Sequence, residues 1–408
     1  EDPSLGYDSP DFNKNIVYKI KGENKSLQYD ETSSRARDWY LEASLRYNRK
    51  FGSHNVGGLF LYNQSKKYYP AQWVGVPSAY IGFVGRLTYD YKSRYMAEVN
   101  FGYNGSENFA PGKRFGAFPA GSIGWVISEE PFMKKASWID FLKVRASYGL
   151  VGSDNVSSRF PYLAFYGGGS GYHFGNNFGT EVGGTSEGNL ANENLTWAKN
   201  LQYNGGFDLS MWGGRLGVEF DVFYKYIYDI LSGVTATYPS SFGGYYPKYE
   251  NSNKQAHKGF EITLSHRNRV GDFNYNVSLT GTYTKRKWLH YNDAANTPDW
   301  LKLTGKEVGA QVGFISAGLF QSQEEIDNSP TIVGKAVRVG DIKYVDRNGD
   351  GVISYEQDRG YVGAAAYPKF VGGLSFSGDW KGIDLSFLFQ AGLGRDVALT
   401  GVYSGGIM

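Results

Sequence analysis

The chain has 408 residues, enough for a large core or several domains, and a net charge of +2 that makes no electrostatic case for a nucleic-acid partner. It has no cysteine, which excludes disulfide scaffolds and thiolate metal sites. Aromatic residues reach 17% with 55 Gly, yet hydrophobic residues are only 41%, and no apolar run has the length of a membrane-spanning helix, so a membrane reading requires a β-barrel; a soluble β-sandwich or propeller is the competing reading.

The chain opens on Glu1-Asp2-Pro3 without a signal-peptide pattern, the expectation for a mature protein or a fragment. A weak strand is predicted near Ile16 to Tyr29. From Trp39 the alternation is clear: Trp39, Leu41, Ala43, Leu45 and Tyr47, then a turn over 52–55 and a second segment from Val56 to Tyr62. A loop over Lys66 to Ser78 precedes a hairpin, Ile81 to Tyr91 and Tyr95 to Tyr103, joined by Lys92-Ser93-Arg94. A strand is expected over Gly121 to Ile127, a short helical connector over Glu129 to Asp140, and another strand from Leu142 to Tyr148. The segment Gly152 to Ala198, with its Gly167–Gly171 run, reads as one very long loop.

The strongest signal follows. Leu201, Tyr203, Gly205, Phe207, Leu209 and Met211 alternate with polar residues up to a Gly213-Gly214 turn. Beyond it, Leu216, Val218, Phe220, Val222, Tyr224 and Tyr226 alternate with residues that include Glu219, Asp221 and Lys225. Strict period two on both sides of a Gly turn makes an antiparallel hairpin. Each arm has about ten alternating residues, the length a tilted strand needs to cross a bilayer core. Leu216, Val218, Phe220, Val222 and Tyr224 are expected on the lipid side, Glu219 and Asp221 on the lumen side. A loop over Ser232 to Ala256 leads to Phe260–Leu264 and Phe273–Tyr283; some eighty residues then precede a last hairpin, Phe370 to Trp380 and Ile383 to Phe389.

Short connections thus alternate with long ones. That is the plan of a bacterial outer-membrane barrel, with short periplasmic turns and long extracellular loops. About twelve strong strands are expected, with the weak N-terminal one as a thirteenth.

Asp346-Arg347-Asn348-Gly349-Asp350-Gly351-Val352 fits the first half of an EF-hand loop. Three oxygen side chains at alternate positions suit a hard cation, Gly351 permits the turn, and the Val352 carbonyl adds a ligand. The second half departs from the pattern: Gln357 stands at the twelfth position, between Glu356 and Asp358, and no helix precedes the loop. We expect structural calcium on Asp346, Asn348, Asp350 and Val352, with Asp358 as the closing ligand. The alternative is an Asp/Asn/Gly turn without metal. His54, His173, His257, His266 and His290 show no metal-ligand spacing, and there is no G-x-S-x-G motif and no carboxylate pair whose spacing demands catalysis. Tyr68, Tyr69, Trp73, Tyr172, Tyr245 and Tyr246 could stack on sugar rings or clasp peptides, or simply pack loops.

Arg94–Phe109 (RYMAEVNFGYNGSENF), Gly116–Glu130 (GAFPAGSIGWVISEE) and Leu142–Gly152 (LKVRASYGLVG) resemble successive stretches of SusC/RagA-type TonB-dependent transporters. Gly340–Gly351 (GDIKYVDRNGDG), Tyr367–Gly373 (YPKFVGG) and Lys381–Gly392 (KGIDLSFLFQAG) are similar to that family's late barrel. The matches run in order from about Arg37 to Asp396. The resemblance implies an all-β transmembrane antiparallel barrel of about 22 strands, in the outer membrane of a Bacteroidetes-type Gram-negative bacterium. Residues 1–408 would be its central-to-late portion, without the N-terminal plug, early strands and last strands. It further implies a nutrient importer, not an enzyme. Oligosaccharides or peptides would enter with a SusD-like lipoprotein lid, driven by TonB through the absent plug. The rivals are a soluble sandwich or propeller that acts as a binding protein or adhesin, and a barrel enzyme. Substrate-binding residues are not legible.

Overall fold

Period-two alternation builds a single layer. In a computed structural model of the chain, twelve antiparallel strands form one sheet whose spatial order follows chain order. The structure describes residues 29–398 except 32, 72–74, 157, 176–179, 189, 235–237, 244–245 and 296. The strands are β1 (Arg37–Phe51), β2 (His54–Tyr68), β3 (Ser78–Tyr91), β4 (Tyr95–Ser106), β5 (Phe115–Val126), β6 (Ile139–Ser153), β7 (Ala198–Met211), β8 (Leu216–Gly233), β9 (Tyr249–Val270), β10 (Phe273–His290), β11 (Phe370–Trp380) and β12 (Ile383–Leu393). Among the described residues the remaining sheets are pairs of short strands, not a second large sheet as in a sandwich, and no helix is long and apolar enough to cross a membrane. β1 and β12 are its two edges, and both are exposed along their whole length.

The connections sort as expected. Two-residue turns join β1 to β2, β9 to β10 and β11 to β12, and Lys92-Ser93-Arg94 joins β3 to β4. Residues 127–138, at the same end, hold two 3₁₀ turns, Ile127–Glu129 and Pro131–Lys135, where a short helical connector is expected. Glu130 ties this end together. Tyr95 donates its hydroxyl to Oε1 at 2.5 Å, Trp125 donates Nε1–H to Oε1 at 3.1 Å, and Arg94 reaches Oε2 at 3.3 Å.

The opposite end differs from the sequence expectations in three places. The segment read as one loop from Gly152 to Ala198 contains a hairpin, Tyr166–Phe174 with Thr180–Glu187. Its first strand includes the Gly167–Gly171 run, so that run is not loop; glycine carries no side chain to reveal alternation. β2, β8, β9 and β10 all outrun their apolar stretches, shortening the loops at 66–78 and 232–256. β9 has 22 residues and β8 and β10 have 18 each, whereas crossing a bilayer takes about 9–11. β5 begins at Phe115, ahead of the expected Gly121. The strand expected near Ile16 to Tyr29 lies almost wholly outside the described residues, as do Trp73 and Tyr245.

Antiparallel partners share a face, so the register defines two surfaces. One row across nine strands reads Tyr89, Ala97, Ile123, Ala146, Gly205, Val222, Phe260, Tyr283, Phe370. The next row, on the other face, reads Asp90, Met96, Gly124, Arg145, Gly206, Asp221, Glu261, Thr282. The apolar face is bare: Ile123 is 66% exposed, Leu87 65% and Val222 49%. The buried core is small. Phe109, Phe118, Leu195 and Trp197 cluster at the long-loop end, with Trp197 5.5 Å from Phe109 and 5.3 Å from Phe118. A large bare apolar face beside so small a core is the reverse of a soluble domain.

Candidate functional site

The polar face is the first candidate site. Arg145 on β6, Gly206 on β7 and Asp221 on β8 lie side by side in one row. Arg145 reaches across Gly206 to Asp221 in a fork: Nη1 to Oδ1 at 2.6 Å and Nη2 to Oδ2 at 2.7 Å. Its Nη2 also meets Asp208 Oδ1 at 3.0 Å. Gly206 makes the reach possible, since a Cβ there would stand 2.5 Å from Asp221 Oδ1 and would collide with the Phe220 carbonyl. One guanidinium thus neutralises two carboxylates with bidentate, charge-assisted bonds. Arg86 and Glu98 make a second pair at 2.6 Å.

Between these pairs lies a cavity of about 700 Å³, lined among others by Asn48, Thr88, Asp90, Ser122, Ser147 and Asn204. Amides, hydroxyls and paired charges suit hydrated or polar cargo. Alternation in the sequence placed Arg145 and Asp221 on polar faces. Their pairing depends on register between strands far apart in sequence, which carries no local signal.

The loop 346–358 is the second candidate. Asp346 Oδ1 accepts from Gly349 N–H at 2.7 Å and Oδ2 from Gly351 N–H at 2.8 Å. Asn348 Oδ1 accepts from Asp350 N–H at 3.1 Å, and its amide donates to Asp350 Oδ2 at 2.8 Å and to Gln357 Oε1. Asp350 Oδ1 accepts from Val352 N–H at 2.8 Å. The carbonyls of Gly351 and Ile353 accept from Thr331 and Val333, and strand alternation turns the Val352 carbonyl the other way.

So Asp346, Asn348, Asp350 and Val352 come together in one turn. Asp358 meets the same turn at its backbone. It is fully buried, and its oxygens accept Arg347 N–H at 2.9 Å and Ser354 N–H at 2.7 Å. Burial pushes its carboxyl up, but the N–H groups of Ser354 and Arg347, with the Ser354 hydroxyl and Asn348 N–H, outweigh burial and hold it below the ordinary Asp value. Among the described residues no three His, Cys, Asp or Glu side chains cluster for a metal. The turn offers two carboxylates, one amide oxygen and one carbonyl, and Asp358 ties its Arg347 N–H to that of Ser354.

The loop aromatics divide. Tyr246 stacks on Tyr238 at 5.1 Å, and Tyr172 packs edge-on against Phe174 at 5.0 Å while staying 69% exposed. Tyr68 and Tyr69 end β2 and begin the loop after it.

A family model described as "TonB dependent receptor-like, beta-barrel" matches residues 2–395. Among curated proteins, TonB-dependent receptor P39 of Formosa agariphila is 30% identical over 347 residues, covering 76% of this chain and 32% of that protein. TonB-dependent receptor SusC of Bacteroides thetaiotaomicron is 26% identical over 336 residues, covering 78% and 31%. A structure of the RagAB peptide importer in the 'open-open' state superposes with a TM-score of 0.66 at 17% identity, over 88% of this chain and 40% of that one. The chain spans about a third to two-fifths of the length of the curated relatives it matches. With a family model matched over nearly all of the twelve-stranded, two-faced sheet, the chain belongs to the TonB-dependent receptor-like β-barrel family, proteins of the bacterial outer membrane.

Proposed function

We propose that this chain is part of the wall of a nutrient importer of SusC type, a conduit with no catalytic step. The observation that carries the reading is the two-faced sheet. A bare apolar row meets lipid, and the row beside it holds the Arg145–Asp208–Asp221 network and the polar cavity, a surface past which hydrated cargo can move. The cargo is an oligosaccharide or a peptide. A SusD-like lipoprotein is the partner at the long-loop end, and TonB supplies force through a plug. Relatives named SusC and TonB-dependent receptor support this, as does likeness in fold to RagAB, itself described as a peptide importer.

The test is uptake of labelled oligosaccharides and peptides by cells with and without the gene, each with and without a protonophore. Gene-dependent uptake that the protonophore abolishes is expected. Uptake unaffected by the protonophore contradicts the reading.

The turn at 346–352 completes the proposal as a structural calcium site on the extracellular side. It lies in the connection between β10 and β11, at the end opposite the short turns. A carboxylate offers about four lone-pair sites, and Asp346 and Asp350 each spend two on the bonds above. Flexible calcium coordination suits Asp346, Asn348, Asp350 and the Val352 carbonyl better than strict octahedral magnesium. Asp358, bonded to the Arg347 N–H of the same turn, is the proposed closing ligand. Chelation, or Asp346→Ala with Asp350→Ala, is expected to speed proteolysis between 346 and 358. A loop equally resistant after chelation is a turn without metal.

A further inference from the structure

On the polar face, toward the long-loop end, three basic residues lie side by side on adjacent strands. Lys225 of β8 pairs in register with His257 of β9, and His257 with Arg286 of β10. Directly opposed residues hold their Cβ atoms about 4.5–5.5 Å apart on one face. All three side chains are half-buried, while their chain neighbours on the other face, Tyr224, Lys258 and Lys285, are exposed.

None of the three has an ion-pair partner among the described residues. The acids that could serve are taken elsewhere. Glu307, which bridges Lys287 on β10, pairs with Lys369 at 2.8 Å; Asp229 pairs with Lys199 at 2.9 Å; Asp221 pairs with Arg145. Glu261, four residues from His257 along β9, is roughly 13 Å away at the usual rise of a strand. His257 hydrogen-bonds the neutral Gln255 side chain at 3.0 Å. Lys225 and Arg286 thus flank the imidazole with no carboxylate to neutralise them, which leaves two cations on this face for an anion.

The neighbouring row on the same face supplies an aromatic surface. Phe223 pairs with Gly259, and the tip of its ring occupies the space over that glycine: a Cβ there would be 2.8 Å from Cζ. Lys225 Nζ lies 5.4 Å from the Phe223 ring centre, and the Arg286 guanidinium lies 4.8 Å from the Tyr367 ring centre. Rings beside unneutralised cations match a sugar that has an apolar C–H face and an acid substituent. A peptide carboxylate would use the cations and leave Phe223 without a task.

We infer that Lys225, His257 and Arg286, with Phe223, form a subsite for an acidic sugar, a uronate or a sulfated residue, in the substrate moving through the barrel. The inference rests on the import reading and narrows its substrate class to anionic oligosaccharides. Lys225 and Arg286 meet the acid group, His257 donates between them, and Phe223 stacks under the ring.

The test is calorimetric titration of the native protein, extracted from outer membranes in detergent. The probes are a uronate trisaccharide, a neutral trisaccharide of equal size and a tri-aspartate peptide. The uronate is expected to bind about tenfold or more tighter than the neutral sugar, the effect of one or more charge-assisted bonds, and the preference should shrink as salt rises. Lys225→Gln with Arg286→Gln should erase the preference while heat-modifiable migration stays normal. If the double variant fails to assemble, each single substitution must lower the preference. Phe223→Leu should weaken both sugars. Equal binding of the two sugars, or a preference intact in the cation variants, overturns the inference. So does a peptide that binds tighter than the uronate regardless of Phe223. Cells that still take up neutral oligosaccharide under proton-motive force while the acid preference is absent sink this subsite and leave import standing. An acid preference in a protein whose uptake ignores the protonophore does the reverse.

Discussion

Arg145 faces two carboxylates, Asp208 and Asp221, through a gap left by Gly206. Removing the guanidinium leaves two half-buried carboxylates without their shared cation. Arg145→Ala is therefore expected to destabilise the assembled barrel by about 1–3 kcal/mol, read as a shift in its denaturation midpoint in detergent. Arg145→Ala with Asp221→Asn should cost less than Arg145→Ala alone, because the second change removes one orphaned charge. Asp358 makes a separate point. Its carboxyl lies below the ordinary Asp value because N–H bonds outweigh burial. A depressed folded value stabilises the loop above the unfolded value, and that contribution is lost as pH falls through the folded one. Pepsin digestion over roughly pH 5 to 2 should show the loop 346–358 opening toward the acid end. Asp358→Asn should be more susceptible at the upper end and should flatten the profile.

At the level of strands, the alternation from Leu216 to Tyr226 placed Phe220, Val222 and Tyr224 on one face and Glu219 and Asp221 on the other, as the register has it. Phe220 sits between Phe207 and Phe260, at 5.8 and 6.2 Å. Phe220→Arg at mid-depth should cost about 2–4 kcal/mol of membrane stability, whereas Glu219→Gln on the polar face should cost little. An arginine variant that inserts and assembles like wild type would reverse the facing. All twelve sheet strands were legible because, within the bilayer, one face of each meets lipid and the other the polar lumen, which enforces alternation. The hairpin at Tyr166–Phe174 and Thr180–Glu187 was not. Six of its residues, 167–169, 171, 183 and 184, are glycines, and without side chains period two leaves no trace. Strand ends beyond the bilayer were missed for a related reason: with water on both faces, β9 from Tyr249 to Ala256 has no need to alternate. The turn at Asp346–Val352 was visible as a motif because its ligand atoms are local in sequence. The Arg145 network and the Lys225–His257–Arg286 row were invisible because each is assembled by register between separate strands.

At the largest scale, residues 38–408 are organised on one twelve-stranded sheet with a bare apolar face, a polar face and two open edges, β1 and β12. Lipid does not tolerate unpaired strand edges, so the sheet functions within a closed barrel. The central claim is that the two faces of this sheet meet different solvents, lipid and water. The chain has no cysteine, so single cysteines with nitroxide labels can be placed one at a time from 216 to 226 in the native protein in its outer membrane. Accessibility is then read with an apolar relaxant, oxygen, and a polar one, a nickel chelate. The account predicts oxygen maxima at 218, 220, 222 and 224 and chelate maxima at 217, 219 and 223, strictly out of phase. Chelate access at every position, or no period of two, would contradict it.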